Sequence, residues 1–591
     1  MHKILVNKIC LIVFAFSCLS GCLMSNRPIS TADETQSPAG KAKKKSIVQK
    51  LKENAHLPLK AQIDLYYSLK KDSAGVFNFE DEEELNLYGY SYLWENKVPE
   101  AIEIFKLVVA EFPNSANAYD SLGEAYLQND NKELSLYNYE KSLALNPENF
   151  HAEDQIERIK FPHKIRLKPT EKFFEIFSAE QYKADLDQLG NTLTKVHPNA
   201  LKFISKENFW KAIEAKKALI TDRTTYGEFA WHCSEIIANI NCSHTNMGSF
   251  FYEASMLPLS ARFPIQTRWV DNQLFVVDPF NNDKKVKIKD EIVSINGMAV
   301  SKIVKDIYQH IPSQGYIETT KNHFFNTWCA AMIPYALGFP EAYEIVVKAV
   351  EQPILLKQAE TIEDPFFDRS LGFSGEKLSL KFVDNGEIAL LTVASFNYYR
   401  WNDFDVFRNF IDSSFLEINK RGTKNLIIDV RFNGGGSASA SIHLLQYLVD
   451  SPFTYFSNAQ FEGKKEKIEG EEEVYPFESR FKGKCYFMID GRGNSTTGHF
   501  MSIIKYLHIG TIVGEELGSN QFCSAGMTTC RLTNTKLEYY VANNTHESLA
   551  ISLPDEVGIL PDHYVTQTID EYLANVDAVK EYTMALVRKG D

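Results

Sequence analysis

Over residues 51–165 the apolar positions read as helical stripes. Leu51, Leu57, Leu59, Ile63, Leu65 and Leu69 form one such stripe, the mark of helices that bury a single face. Past about residue 166 the texture changes. Residues 179–240 keep the helical period. Residues 262–300 alternate short apolar runs with turns, as in Leu274-Phe275-Val276-Val277 and in Asp290 to Gly297. Between 376 and 575 the runs are compact and separated by helical stretches. They are Ile388 to Val393, a helix over 403–419, Leu426 to Val430, a helix over 437–449, Cys485 to Ile489, a helix over 496–507, and Thr511 to Gly514. Strands alternating with helices predict a largely parallel sheet covered by helices.

The first region also repeats. Gly89 and Gly123 stand 34 residues apart, as do Tyr92 and Tyr126, Phe105 and Tyr139, and Pro113 and Pro147, while Ala101 aligns with Ser135. This spacing resembles tetratricopeptide repeats, helix–turn–helix units in which small residues let paired helices approach and aromatics fill the gap. Two units are expected at 85–118 and 119–152, with an atypical flanking pair over 46–80. The module as a whole is placed at 51–165. It reads equally as a peptide-binding groove or as a spacer.

At the N-terminus, Lys3 and Lys8 precede the apolar run Ile9 to Phe16, too short for the ~20 residues of a membrane-spanning helix. Leu19-Ser20-Gly21-Cys22 resembles the bacterial lipobox. That resemblance implies a signal peptide at 1–21, cleavage before Cys22, lipidation of its thiol, and a lipid-anchored protein of the cell envelope, periplasmic or on the outer membrane. Leu23 in place of Asp favours the outer membrane. Residues 22–50, with Lys41 and Lys43 to Lys45, read as a tether. Charge narrows the partners: 63 Lys and Arg against 77 Asp and Glu give a net −14, an acidic balance that argues against nucleic acid. Nine Cys are too sparse for a disulfide scaffold. Pairing of Cys523 with Cys530 is left open.

Two turns concentrate the chemistry. Leu426 to Val430 runs into Arg431-Phe432-Asn433-Gly434-Gly435-Gly436-Ser437 and then a helix; backbone N–H groups of such a turn suit a developing oxyanion. Tyr486 to Ile489 runs into Asp490-Gly491-Arg492-Gly493-Asn494-Ser495-Thr496 and a helix. A Ser at that strand-to-helix turn is placed as a nucleophile. Together with Gly558-Ile559-Leu560-Pro561-Asp562, these segments resemble the tail-specific, or C-terminal-processing, serine protease family. Asp290 to Gly297 resembles the end of the PDZ-like module that such enzymes carry. The resemblance covers about residues 170–580.

The branch of that family with a Ser-Lys dyad would need Lys about 25 residues after the Ser, where this chain has Asn520. The tricorn-like branch takes its base from a helical lobe, and Asn241-Cys242-Ser243-His244-Thr245 resembles that turn. The resemblance implies Ser495 as nucleophile, His244 as base, Asp555 as orienting acid with Glu556 as fallback, and an oxyanion hole from Thr496 and Gly435 or Gly436. Two other bases stay open: His499, one turn past Ser495, and His563 after Asp562, in the chain order of α/β-hydrolases. The chemistry calls for no metal and no cofactor. His232, Cys233, Cys242 and His244 are split by apolar helix into pairs about 13 Å apart at 1.5 Å per residue.

The expected architecture is therefore multidomain. An all-α repeat module precedes an α/β protease core with a helical lobe at 166–255, a small PDZ-like β-rich module at 256–350 and the catalytic core at 376–580. The expected function is an exported, membrane-anchored serine endopeptidase acting on protein or peptide substrates, with a protein partner possible through the repeats. The alternative is a non-catalytic peptide-binding scaffold with a vestigial protease fold.

Overall fold

The computed structural model describes residues 44–247, 257–358, 376–399, 403–461, 464–465 and 470–590. Cys22 and the signal segment lie outside the described residues. The chain divides into two units, residues 1–166 and 167–591.

The first unit is helical. α1 (Ile47–Glu53) and α2 (Leu59–Asp72) precede α3 (Glu82–Trp94), α4 (Val98–Glu111), α5 (Ala116–Gln128) and α6 (Lys132–Leu145), with α7 (Phe150–Lys160) last. α3 and α5 both have 13 residues, and α4 and α6 both have 14. Each pair begins three residues before the boundary read from the sequence, because Asp81 and Ser115 cap the first helices by accepting from the backbone N–H of Glu84 and Ala118. The repeat has a packing cause. A Cβ on Gly89 would sit 2.6 Å from the Phe105 ring, and one on Gly123 would sit 3.0 Å from Tyr139. Only hydrogen fits where each aromatic crosses its partner helix. At the other small position, Ala101 is fully buried, and so is Ser135, whose hydroxyl donates to the Gly123 carbonyl.

The second unit starts with α8 (Ala179–Val196), α9 (Lys206–Leu219) and α10 (Tyr226–Ala238). Capping boxes, Ser178 with Gln181 and Thr225 with Glu228, start α8 and α10. Next comes an antiparallel meander of β1 (Gln266–Val270), β2 (Gln273–Asp278), β3 (Glu291–Ile295), β4 (Glu344–Val347) and β5 (Val350–Leu355), neighbours in chain order. It extends five residues past the expected boundary at 350. α11 (Val300–Tyr308) and α12 (Thr319–Ala336) are inserted between β3 and β4.

The core sheet runs β6 (Leu378–Val383), β7 (Ile388–Val393), β8 (Asn425–Asp429), β9 (Lys484–Ile489), β10 (Thr511–Gly514) and β11 (His563–Tyr564), again in chain order. β6 pairs antiparallel with β7, and every later pair is parallel. The central strands are apolar on both faces because helices cover both. These helices include α13 (Phe404–Arg421), α14 (Ala438–Leu445), α15 (Thr496–Tyr506) and α16 (Ala578–Lys589). Parallel strands deliver their C-terminal ends to one edge, so the turns after β8 and β9 lie side by side. A second antiparallel sheet joins Phe456–Phe461, Asn544–Ser548 and Phe522–Ala525.

Arg431 is a strut. It is 3% exposed and is held by both carboxylate oxygens of Asp429 and both of Asp577, at 2.7–2.9 Å. The arginine of the Gly-rich motif thus ties the end of β8 to the cap of α16.

Candidate active site

Ser495 occupies a backbone conformation that side chains avoid, with φ 55° and ψ −124°. It sits between β9 and α15, so its hydroxyl stands clear of the helix it begins. The neighbouring turn is built to fit. A Cβ on Gly435 would lie 2.7 Å from Ser495 Cβ and from the Asn494 carbonyl, and one on Gly436 would lie 2.2 Å from the Phe396 backbone. Hydroxyls lock the turns together. Thr496 Oγ1 donates to the Gly436 carbonyl at 2.6 Å, and Thr497 Oγ1 to the Asn433 carbonyl at 2.8 Å. The two threonines serve as clamps between the turns.

The candidate oxyanion donors separate on this geometry. Gly435 N–H is already given to Asn433 Oδ1 at 3.0 Å, so it is not free for an oxyanion, contrary to its place in the expected hole. Thr496 N–H opens α15, where no carbonyl four residues back accepts it. Gly436 N–H likewise has no acceptor among the described residues. Thr496 and Gly436 are the pair available.

His244 arrives from the turn after α10. Three bonds stitch that turn to distant strands. Ala542 N–H donates to Thr245 Oγ1 at 3.0 Å, Asn246 N–H to the Tyr540 carbonyl at 3.0 Å, and the Cys242 thiol to the Ser524 carbonyl at 3.4 Å. Ser243 Oγ donates to Asn494 Oδ1 at 3.0 Å, which ties the turn of the base directly to the turn of the nucleophile. Burial lowers His244 to about 4, so its imidazole is neutral through the neutral range and fit to accept a proton. His197, His499 and His546 lie near enough for their charge to act on it or it on them, and burial depresses all three.

Asp555 is placed differently from expectation. Its carboxylate is ion-paired with Lys202 at 2.6 Å and accepts from Gln521 Nε2 at 2.5 Å. Among the described residues no hydrogen bond joins it to His244, because the local cation and amide hold it first. Glu556 is exposed, its carbonyl accepting from Tyr316 N–H. Asn520, at the position of a dyad lysine, is a structural bracket. Its amide donates to the carbonyls of Asp555 and Val557, and its Oδ1 accepts from Phe522 N–H.

The rival bases fall away. His499 is buried against the rings of Tyr455 and Phe456. His563 bonds Tyr582, and Asp562 pairs with Lys505 and accepts from Ile512 N–H. The described cysteines are all free. Cys523 lies on the strand beside the base, its thiol 3.8 Å from His244 Nδ1 and in contact with the Ser495 hydroxyl, while Cys530 sits in the hairpin Thr528–Arg531/Glu538–Val541. No group of His, Cys, Asp and Glu among the described residues could hold a metal ion.

Sequence reasoning passed over Ser243, Asn494 and Cys523. The first two carried a signal, since each is a polar neighbour of a candidate reacting residue. Cys523 reaches the site from a strand 279 residues beyond His244 in the chain.

Residues 387–565 match the model of peptidase family S41. No curated protein matches the sequence. Among solved structures, mature CPAF is 13% identical, with 68% of this chain and 95% of that chain covered and a TM-score of 0.46. The photosystem II D1 C-terminal processing protease is 12% identical, covering 67% and 97%, at 0.32. The tricorn protease is 14% identical, covering 70% and 37%, at 0.31. The chain carries a domain of peptidase family S41 and is a serine peptidase, a hydrolase whose substrates are proteins or peptides.

Proposed function

We propose that this serine peptidase is an exported, lipid-tethered endopeptidase that works through an acyl-enzyme on Ser495. Ser495 Oγ attacks the scissile carbonyl carbon while His244 Nε2 takes the hydroxyl proton. The N–H groups of Thr496 and Gly436 hold the tetrahedral oxyanion. The imidazolium then gives its proton to the leaving amine, and water, activated by the same imidazole, hydrolyses the ester. The observation that carries this reading is the strained Ser495 backbone, held between two free N–H groups and tied through Asn494 to the turn of His244. Such strain persists only where the surroundings enforce it.

The finer modules belong to the same reading. Paired helices with matching Gly–aromatic contacts support a tetratricopeptide-like array, and the β1–β5 meander supports a PDZ-like module. The lipobox-like Leu19 to Cys22 supports a tether. No helix among the described residues is long and apolar enough to cross a membrane.

The test is a fluorophosphonate probe together with hydrolysis of an unfolded protein. Wild type should be labelled on Ser495 and should turn over, and Ser495→Ala should do neither. One observation favours the scaffold alternative: among the described residues no hydrogen bond joins His244 to Ser495 or to a carboxylate. An inert Ser495 in folded wild type would establish that alternative. Absence of lipid on Cys22 by mass spectrometry would remove the tether.

A further inference from the structure

Among the described residues no carboxylate bonds the base of this site, and its neutral partners impose a direction on the hydrogen bonds around it. Asn494 Oδ1 accepts from the backbone N–H of Ser495 at 2.8 Å. A backbone N–H can only donate, so the atom facing it is the carbonyl oxygen of the amide and not the NH₂. The same oxygen lies 3.0 Å from Ser243 Oγ. An amide oxygen can only accept, so the Ser243 hydroxyl proton must point to Asn494. What Ser243 offers on its other side is a lone pair, and His244 Nδ1 stands there at 3.3 Å. Nδ1 must then carry the proton, which leaves Nε2 bare. Cys523, 3.8 Å from Nδ1, is a weak partner whose sulfur can also accept.

We propose that Asn494 and Ser243 are positioning residues that fix the proton of His244 on Nδ1, a neutral relay standing where an orienting carboxylate would otherwise act. The proposal rests on His244 serving as the base of Ser495. The relay gives Asn494 two tasks at once, since one oxygen steadies the strained Ser495 backbone and sets the tautomer of the base. It also accounts for the freedom of Asp555 to pair with Lys202 and Gln521. A carboxylate would stabilise the imidazolium formed during attack, as an amide does not. The relay therefore orients the base without raising its affinity for protons, in keeping with an imidazole held near 4 by burial.

The experiment labels the full chain with ¹⁵N-histidine and reads the His244 tautomer from two-bond ¹⁵N–¹H correlations, with the signal assigned by its loss in His244→Gln. Wild type should show Nδ1–H. Ser243→Ala and Asn494→Ala should move the population toward Nε2–H and lower kcat about tenfold, the worth of one lost hydrogen bond, with KM little changed. Ser243→Thr keeps a hydroxyl and should restore both readouts. Asn494→Asp keeps the acceptor, so it should keep the tautomer. By ending the relay in a charge it should also raise the pH at which His244 protonates, read against the other groups that face it: His197, His499, His546, Cys242 and Cys523. It remains informative if Asn494→Ala does not fold. Asp555→Asn should leave the tautomer as in wild type. Retention of Nδ1–H in Ser243→Ala, a tautomer reversed by Asp555→Asn alone, or an unmoved acid limb in Asn494→Asp would each overturn the relay. A wild type inert to fluorophosphonate would sink the peptidase mechanism while leaving the tautomer result readable.

Discussion

The helical unit carries raised carboxyls, and the catalytic unit adds to raised carboxyls of its own, such as Asp490 and Glu516, a set of depressed imidazoles. In the helical unit, burial raises the carboxyls of Glu83 and Glu84 to about 7, and those of Asp81 and Glu124 also stand above their ordinary range. In the catalytic unit, burial also lowers imidazoles. His197 and His499 are held at about 3, and His232, His244 and His546 at about 4. A carboxyl raised in the folded state contributes stability that is full below pH ~4.5 and is lost as pH rises through about 7. A depressed imidazole does the reverse, since the unfolded chain binds its proton first, so stability present above pH ~6.5 is lost as pH falls toward 4 and 3. The difference teaches that burial has different uses in the two units. The repeats bury carboxyls as packing, whereas the catalytic unit also buries imidazoles, His244 among them, that stay neutral through the neutral range.

The largest effect should come from the reacting atoms. Ser495→Ala and His244→Ala should each lower turnover at least 10³-fold, and the double variant should be hardly worse, because the two act as a unit. Undiminished turnover in a folded His244→Ala protein would remove the reason for burying that imidazole. Acid comes next. Between pH 7 and pH 5, His197 and His499 should each withdraw about 2 kcal/mol from the catalytic unit, with further loss from the other three. Calorimetry of the full chain should show one transition falling in temperature while the helical transition holds or rises. Two transitions falling together would break the contrast.

Phe105→Ala should cost the helical unit about 3–5 kcal/mol, since it empties the contact that Gly89 makes room for. The catalytic transition should stay put, and so should hydrolysis of a short peptide. The smallest effect should be that of Lys202→Met, which breaks an ion pair whose partners are both about 30% exposed. It should cost under about 1 kcal/mol, read as a small shift in urea midpoint.

Legibility in the sequence followed contact distance. β7 and β10 have the expected ends, and the helices beginning near 404, 438 and 496 lie where strand–helix alternation put them. Their signal is local, a period of two or of 3.6 written over a few residues. The 34-residue repeat was local as well, and Gly89 against Phe105 shows why it repeats. The turns of Ser495 and the three glycines could be found because each follows its own strand. The pairing of Asp555 could not, because its partner Lys202 comes from a loop more than 300 residues earlier. Nor could the choice between Gly435 and Gly436, which turns on a side chain two residues away capturing one N–H and leaving the other.

The strut at Arg431 has a consequence in time. Asp577, which supplies half of the arginine's carboxylate partners and caps α16, lies 146 residues beyond Arg431 in the chain. Until that segment docks, the guanidinium at the end of β8 lacks half of its counter-charge, a state that burial makes unfavourable. The turn that carries the three glycines is therefore completed late in folding, once a loop of 146 residues has closed and returned the cap of α16 to the end of β8.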